Sequence, residues 1–227
     1  MKILAIDTTE AACSAALFLQ GELSERFEIA PRRHSELILP MMDGLLAEAG
    51  LRLQDLDALA FARGPGSFTG VRIAAAVAQG AATAAELPVV PVSGLLALAQ
   101  GQWRAHGAQQ VLAAFDARMN EVYWAACQAG DKGMQLLGEE MVCAPQAVPL
   151  PEQGQWQACG SGWLAYASEL QDRLQGRLLG VDAEAMIHAA DVAVLAAAAL
   201  RDGQAVAPEQ ALPVYLRDQV AKTMAAS

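Results

Sequence analysis

The first 62 residues alternate between short apolar runs and clusters of turn-forming residues, a pattern that predicts four strands and one helix. The first three strands are predicted over Lys2–Asp7, residues 11–19 and Glu22–Ile29. Because only a few residues connect them, these strands must be antiparallel neighbours. Residues 35–49 then carry apolar side chains on one broad face, which indicates a helix, and residues 57–62 form the fourth strand.

A glycine-rich segment, Gly64-Pro65-Gly66-Ser67-Phe68-Thr69-Gly70, separates the fourth strand from a second helix over residues 71–86. That helix consists largely of alanine, with few larger apolar side chains. A fifth strand over Val89–Val92 follows, and Ser93 is a suitable N-cap for a third helix. This order predicts an α/β fold in which crossover helices cover a mixed βββαβα sheet.

The second half of the chain repeats this order less clearly. It predicts a strand, a hairpin and two helices, over residues 110–115, 121–128 with 134–142, 163–175 and 191–200. Gly101 and Gly107 interrupt the pattern between the two halves. We therefore expect an N-terminal lobe of residues 1–105, which carries the two long helices, and a smaller C-terminal lobe of residues 106–227.

The composition argues against several classes of protein. Fifteen basic and 25 acidic residues give a net charge of −10, the wrong sign for a chain that binds nucleic acid or a membrane surface by itself. The longest apolar run, residues 192–200, is far shorter than the roughly 20 residues of a membrane span. The N-terminus predicts a strand rather than a signal peptide, and the four cysteines lack CxxC spacing, so we expect a cytoplasmic protein with free thiols.

Acidic residues after two strands are the first candidates for chemistry. Asp7, Thr8 and Thr9 follow the first strand, and Asp116 occupies the equivalent place in the second lobe. One acid per lobe, with hydroxyl groups beside it, can hold a magnesium-bound phosphate, as in sugar kinases and actin-like ATPases. Alternatively, each acid simply caps a turn, and the spacing alone fits both interpretations.

The glycine-rich segment precedes a helix and therefore has the outline of a phosphate-binding loop. No lysine follows its last glycine, so it is not a Walker A loop. The alternative interpretation is a strand-to-helix turn that needs unusual backbone angles, which glycine adopts readily.

The first two helices are candidates for contact with another subunit. Methionine-rich faces suit adaptable contacts, and a helix of small residues lets a second backbone approach closely. One sheet face should not bury all of this apolar surface, so we predict a partner interface, with ordinary core packing as the alternative. The residues assigned to the interface are Leu37, Ile38, Met41, Met42, Leu45, Val71, Ala74, Ala75, Ala78 and Ala82.

Six segments together resemble a known family and occur in the same order as in that family. They are residues 3–8, 34–40, 64–73, 91–93, 116–119 and 213–217. The most specific of them is GPGSFTGVRI at residues 64–73. The chain resembles the TsaB (YeaZ) family, which belongs to the bacterial machinery that makes threonylcarbamoyladenosine in tRNA. The resemblance spans nearly the whole chain and is weakest over residues 130–190.

This resemblance implies an actin/hexokinase-like (ASKHA) fold of two ribonuclease-H-like lobes. It also implies an accessory subunit without catalysis of its own, which pairs with a metal-bearing paralogue, TsaD, or with itself when TsaD is absent. Together with the ATPase TsaE, the pair transfers threonylcarbamoyl to N6 of adenosine 37 in tRNAs that read codons beginning with A. This chain would then contact tRNA only indirectly, through the complex, and it would not contact a membrane.

The metal site of the paralogue has no counterpart in this sequence. In TsaD a His-x-x-x-His pair follows the strand equivalent to Val89–Val92, where two histidines one helical turn apart can share a metal. Gly94 and Leu98 occupy these positions here, and neither side chain can bind a metal. We therefore expect no metal site, which argues against a metalloprotease.

Two hypotheses about nucleotides stay open. A small ASKHA-type ATPase or sugar-kinase-like enzyme would use Asp7 and Asp116 for its own turnover. The family resemblance instead implies no intrinsic cofactor, with ATP or ADP and Mg²⁺ at the interface of the complex. Asp7, Thr8, Thr9 and Asp116 are the residues that would bind such a nucleotide.

Overall fold

The computed structural model describes residues 1–151 and 154–217, and the strands within these ranges form two sheets. The first sheet has the order β3-β2-β1-β4-β5 and contains β1 (Lys2–Asp7), β2 (Ala12–Leu19), β3 (Glu22–Ile29), β4 (Ala58–Ala62) and β5 (Val89–Val92). The first three strands are antiparallel neighbours, as predicted. β4 and β5 continue the sheet in parallel on the other side of β1, which places the end of β1 at the centre of one sheet edge.

The second sheet repeats the same path. It contains β6 (Gln110–Arg118), β7 (Glu121–Gly130), β8 (Gly133–Leu136), β9 (Met141–Cys143), β10 (Trp156–Cys159) and β11 (Leu178–Asp182), in the order β11-β10-β6-β7-β8 with β9 also paired to β7. β6 is therefore the counterpart of β1. The prediction of one strand over residues 134–142 was wrong, because a turn that contains Gly138 in left-handed backbone splits it into β8 and β9.

Six helices pack around these sheets in the described residues. They are α1 (His34–Glu48), α2 (Phe68–Ala85), α3 (Gly94–His106), α4 (Ser161–Ala165), α5 (Ala167–Arg173) and α6 (Ala189–Arg201). α1 and α2 cover the outer face of the first sheet, and α6 covers its inner face. α3 packs between α6 and the second sheet, whose outer face is covered by α4 and α5. The main core thus lies between the sheets, around α3 and α6.

Three helix boundaries differ from the predicted ones. α1 runs from His34 to Glu48, one residue earlier at each end than the predicted residues 35–49. α2 begins at Phe68, because the side chain of Ser67 caps it by accepting a hydrogen bond from Gly70 N at 3.5 Å. The helix predicted over residues 163–175 is two helices, α4 and α5, because Tyr166 between them leaves helical geometry, with φ at −132°.

The division of the chain into lobes of residues 1–105 and 106–227 stays a prediction. All strands of the first sheet come from the first range and all strands of the second sheet from the other. However, α6 belongs to the second range and packs on the first sheet. Residues 218–227, at the end of the predicted second lobe, lie outside the described residues. None of the described helices is both long enough and apolar enough to cross a membrane.

Candidate functional site

The carboxylate of Asp7, at the end of β1, is fully buried. Its Oδ1 accepts hydrogen bonds from Thr9 N at 3.1 Å and from Thr9 Oγ1 at 2.7 Å, which closes the turn after the strand. Its Oδ2 is buried and has no hydrogen-bond partner among the described residues. Burial raises the pKa of Asp7 to about 6, although the hydrogen bonds from Thr9 oppose this shift.

The glycine-rich segment packs directly on this turn. Ser67 N donates to Thr9 O at 2.7 Å, and Thr8 Oγ1 donates to Gly70 O at 2.7 Å. A Cβ atom added to Gly66 would lie 2.6 Å from Thr9 O, and one added to Gly70 would lie 2.1 Å from Thr8 O. These two positions therefore require glycine, because any side chain would collide with the backbone of the turn.

These contacts determine whether the turn fits a magnesium-bound phosphate. A phosphate site needs free backbone N–H groups or free hydroxyl groups that point to the anion. The hydroxyls of Thr8 and Thr9 are both bonded within the protein, and so is Ser67 N. In this arrangement the residues do not fit the group, because these donors are already engaged within the protein.

A chain of hydrogen bonds crosses from the first lobe to the second beside this turn. Ser161 Oγ donates to Glu10 Oε2 at 3.1 Å and accepts from Asp116 N at 3.2 Å. Tyr166 OH lies 3.3 Å from Asp116 Oδ1, and Arg118 pairs with Asp116 Oδ2 at 2.8 Å. Asp116, on the counterpart of β1, therefore acts in this arrangement as a structural link between β6, α4 and the turn after β1.

Glu10 is a residue that the sequence analysis did not single out. Its pKa is raised to about 7, chiefly by burial. The hydrogen bond from Ser161 opposes this shift, the nearby carboxylates of Asp7 and Asp116 add to it, and Arg118 opposes it weakly. Its position directly after the Asp-Thr-Thr turn was the available signal. Although these carboxylates are neighbours, no group of three or more His, Cys, Asp or Glu side chains in the described residues has an arrangement that could hold a metal ion.

Packing closes the two positions to which the family resemblance assigns the metal ligands of TsaD. Gly94 is the first residue of α3, and Leu98 on the same helix is buried. A Cβ atom on Gly94 would lie 3.2 Å from Ile187 Cδ1 and from Pro65 O. An imidazole at position 94 would therefore displace core residues. In addition, Leu98, one helical turn later, would not supply a second metal ligand.

The residues assigned to a partner interface lie mostly in the core of the chain itself. Leu37 is half-buried, and the other nine are buried against the first sheet: Ile38, Met41, Met42, Leu45, Val71, Ala74, Ala75, Ala78 and Ala82. The first sheet therefore does bury this apolar surface, contrary to the premise of the prediction, because α1 and α2 pack side by side on its outer face. Of α1 and α2, only the outward side is therefore accessible to another protein.

Part of that outward side is also apolar. We call it the outer strip, and it consists of exposed or half-buried residues of α1 and α2: Leu37, Leu39, Pro40, Ile73, Ala76, Val77 and Gly80. α2 carries no charged residue from Ile73 to Ala85, although it lies on the surface of the molecule. Helices that face water usually carry charged side chains on that side, so this composition is unusual for a solvated surface.

Comparison with known proteins shows similarity over nearly the whole chain. Residues 27–225 match a family model described as TsaD, tRNA N6-adenosine threonylcarbamoyltransferase. The tRNA threonylcarbamoyladenosine biosynthesis protein TsaB of Escherichia coli K12 is 46% identical over 226 residues, which cover 97% of this chain and 96% of that protein. TsaB of Haemophilus influenzae is 41% identical over 231 residues, which cover 97% and 95%.

Comparison of structures gives the same result. A solved structure of YeaZ from Pseudomonas aeruginosa superposes with a TM-score of 0.89 at 46% identity, over 95% of this chain and 99% of that one. The predicted two-lobed, actin/hexokinase-like fold is thereby confirmed, with the same strand order in both sheets.

Proposed function

The chain belongs to the TsaB family of tRNA threonylcarbamoyladenosine biosynthesis proteins, and we propose that it acts as a non-catalytic subunit of a tRNA-modifying complex. Its partner in this proposal is the metal-bearing paralogue TsaD, and TsaE joins the pair. The complex transfers threonylcarbamoyl to N6 of adenosine 37 in tRNA. The net charge of −10 favours tRNA contacts by the partner rather than by this chain.

The observation that carries this proposal is the outer strip. Its residues are small or apolar, and the half-buried Ile73 and Val77 of α2 lie beside the exposed Ala76 and Gly80. Small residues let a partner helix approach closely, and a surface helix without charges over thirteen positions loses little when water is removed from it. We infer that a helix pair of the partner covers α1 and α2.

The same strip supports self-association when the partner is absent. Two identical helix pairs can pack on each other around a two-fold axis, with each surface serving both copies. The homodimer and the heterodimer would then be mutually exclusive, because each occupies the outer strip.

The contacts within the candidate site support the part of the proposal that gives this subunit no catalytic activity of its own. The hydroxyls of Thr8 and Thr9 are engaged within the protein, and Gly94 and Leu98 stand where the paralogue has metal ligands. A nucleotide with Mg²⁺ would accordingly bind at the interface of the complex rather than in the turn after β1. If Asp7→Asn left nucleotide affinity of the complex unchanged, this location would be supported, and a loss of affinity would contradict it.

An arginine on the outer strip tests the proposal. We expect Ala76→Arg to keep the melting temperature of the isolated chain, because Ala76 is exposed. The same variant should weaken pairing with TsaD by about a hundredfold or more, because it places an unpaired charge in a desolvated interface. Light scattering of the chain alone and mixed with TsaD measures both forms of association, and formation of modified tRNA by the complex measures function.

Two matched alanine-to-arginine variants control this test. Ala167→Arg, on the exposed surface of α5 in the second lobe, should leave both pairing and tRNA modification unchanged. Ala78→Arg, on the buried face of α2, should unfold the chain. Full complex formation by Ala76→Arg, or ATP turnover by the isolated chain, would rule out the proposed role.

A further inference from the structure

A cavity of about 620 Å³ opens between the two lobes. Residues from the turn after β1, from β3, β6 and α4, and from the segment 182–188 line it, and none of the outer strip does. Cavities of a few hundred Å³ are the size that buries a small organic molecule. The proposed pairing with another subunit makes no use of this cavity.

The walls of the cavity are largely apolar. Phe27, Ile29, Phe115, Leu164 and Met186 contribute to them. Two of these side chains are well exposed, Ile29 at 59% and Leu164 at 67% of their surface. Large apolar side chains left open to a concave surface favour a ligand with an apolar body, because binding removes their surface from water.

The polar groups of the cavity are mostly acidic. Glu10, Asp182 and Glu184 line it, and among the described lining residues there is no lysine or arginine. The one basic group, His188, is paired through Nδ1 with Glu25 Oε2 at 2.8 Å and stacks on Phe27. The cavity therefore has an excess of negative charge that its own residues do not balance.

A buried carboxylate outside the lining adds to this charge. Asp7 has an Oδ2 atom without a hydrogen-bond partner in the described chain, and its charge acts on both Glu10 and His188 at the cavity wall. Glu10 directs only Oε2 to a hydrogen-bond donor of the described chain, the hydroxyl of Ser161. Carboxylates on the wall of an apolar cavity whose described lining has no lysine or arginine favour a positively charged ligand group.

We propose that this cavity binds a small organic cation with an aromatic body, of the arylalkylammonium class. The ammonium group would pair with Glu184 and with the ionised form of Glu10, and the ring would pack against the exposed side chains of Ile29 and Leu164. Phosphates and carboxylates would be repelled by the same acidic groups. This proposal is independent of subunit pairing, since it concerns a surface that the partner does not need.

Titration of the isolated chain with 2-phenylethylammonium, monitored by calorimetry and by NMR shifts, tests the proposal. The uncharged 2-phenylethanol and the anionic 3-phenylpropionate are matched ligands of similar shape. We expect the amine to bind about tenfold more tightly than the alcohol, and the carboxylate not to bind at about 10 mM. Equal affinity of the amine and the alcohol, or no binding of the amine at about 10 mM, would overturn the proposal.

Single carboxylate replacements locate the site. Glu184→Gln, at an exposed position, and Glu10→Gln should each weaken binding of the amine by about three- to tenfold. Glu22→Gln removes a carboxylate at the exposed far end of β3 and should leave the affinity unchanged. If Glu10→Gln fails to fold, the affinity of Glu184→Gln for the amine still tests the proposal. Unchanged affinity in Glu184→Gln, or an equal loss in Glu22→Gln, would exclude this cavity as the site.

Discussion

At the scale of single residues, the carboxylates after β1 have the clearest chemical consequence. Glu10 and Asp7 are both held in surroundings that favour their protonated forms, because burial removes the water that stabilises a charged carboxylate. Both pKa values therefore lie close to neutral pH, and both groups link the stability of the fold to pH.

The pH dependence of stability should report on Glu10. Its pKa in the folded chain is about 7, against an ordinary value of 4.5. A raised pKa contributes stability that is fully present below the unfolded-state value and is lost as pH rises through the folded-state value. The free energy of unfolding should therefore fall between about pH 5 and pH 8, by about 2 kcal/mol from this residue.

Denaturant unfolding of Glu10→Gln between pH 5 and pH 8 measures this contribution. Glutamine cannot ionise, so the variant should be about 2 kcal/mol more stable than the parent chain at pH 8. A smaller decline with pH should remain, because the pKa of Asp7 is about 6. Glu22→Gln, at an exposed position, should follow the parent chain, and identical pH dependence of Glu10→Gln and the parent would contradict the assignment.

At the scale of elements, the first turn of α2 is tightly packed, whereas its middle is open to solvent. Its first turn packs so closely on the turn after β1 that Gly70 contacts Thr8 O, whereas Gly80 has no atom within 4 Å of an added Cβ. Both are glycines inside a helix, where alanine is intrinsically favoured. Their surroundings, rather than helix propensity, should therefore determine the effect of replacing them.

Alanine at each glycine of α2 separates these effects. Gly70→Ala should lower the free energy of unfolding by at least about 2 kcal/mol, because the new methyl group lies 2.1 Å from a backbone oxygen. Gly80→Ala should raise it by about 0.5–1 kcal/mol through helix propensity alone. Chemical denaturation at low protein concentration provides both values. Equal effects of the two substitutions would mean that the glycine-rich segment does not pack on the turn.

At the scale of the whole molecule, α3 and α6 join the two sheets. α3 covers the second sheet and α6 the first, and the helices pack on each other between them. Arg104 of α3 makes a two-point contact with the buried Asp191 of α6, with Nε–Oδ1 at 2.8 Å and Nη2–Oδ2 at 3.0 Å. This ion pair, together with apolar packing, therefore helps to fix the position of the two sheets relative to each other.

Removal of the charge of Asp191 tests this dependence. Asp191→Asn should lower the free energy of unfolding by about 2 kcal/mol, because it removes a buried charge that makes two hydrogen bonds to the half-exposed guanidinium of Arg104. Lys132→Ala removes an exposed pair with Asp202, which also joins distant segments, and should cost less than about 1 kcal/mol. Thermal and denaturant unfolding measure both changes. Similar losses in the two variants would contradict a special role for the pair in the core.

The sequence by itself determined the order of the strands and helices in the first lobe. It also determined the family to which the chain belongs. Alternating and continuous apolar runs depend only on neighbours along the chain, so Lys2–Asp7, Glu22–Ile29 and Val89–Val92 were predicted with the observed bounds. The glycine-rich segment was located from its composition, which is likewise a local property of the chain. The second lobe was predicted less well, because short strands and broken helices leave weak periodic signals.

Only the tertiary structure decided which groups lie together and which face of a helix is free. Residues such as Met42 and Ala78 satisfy the pattern of an interface as well as that of a core, and burial against the sheet distinguishes the two. Likewise, Asp7, Thr8 and Thr9 fit a phosphate site until the packed glycine-rich segment takes up their hydrogen bonds. The cavity with Glu10 brings together residues more than 150 positions apart, which no local pattern can indicate.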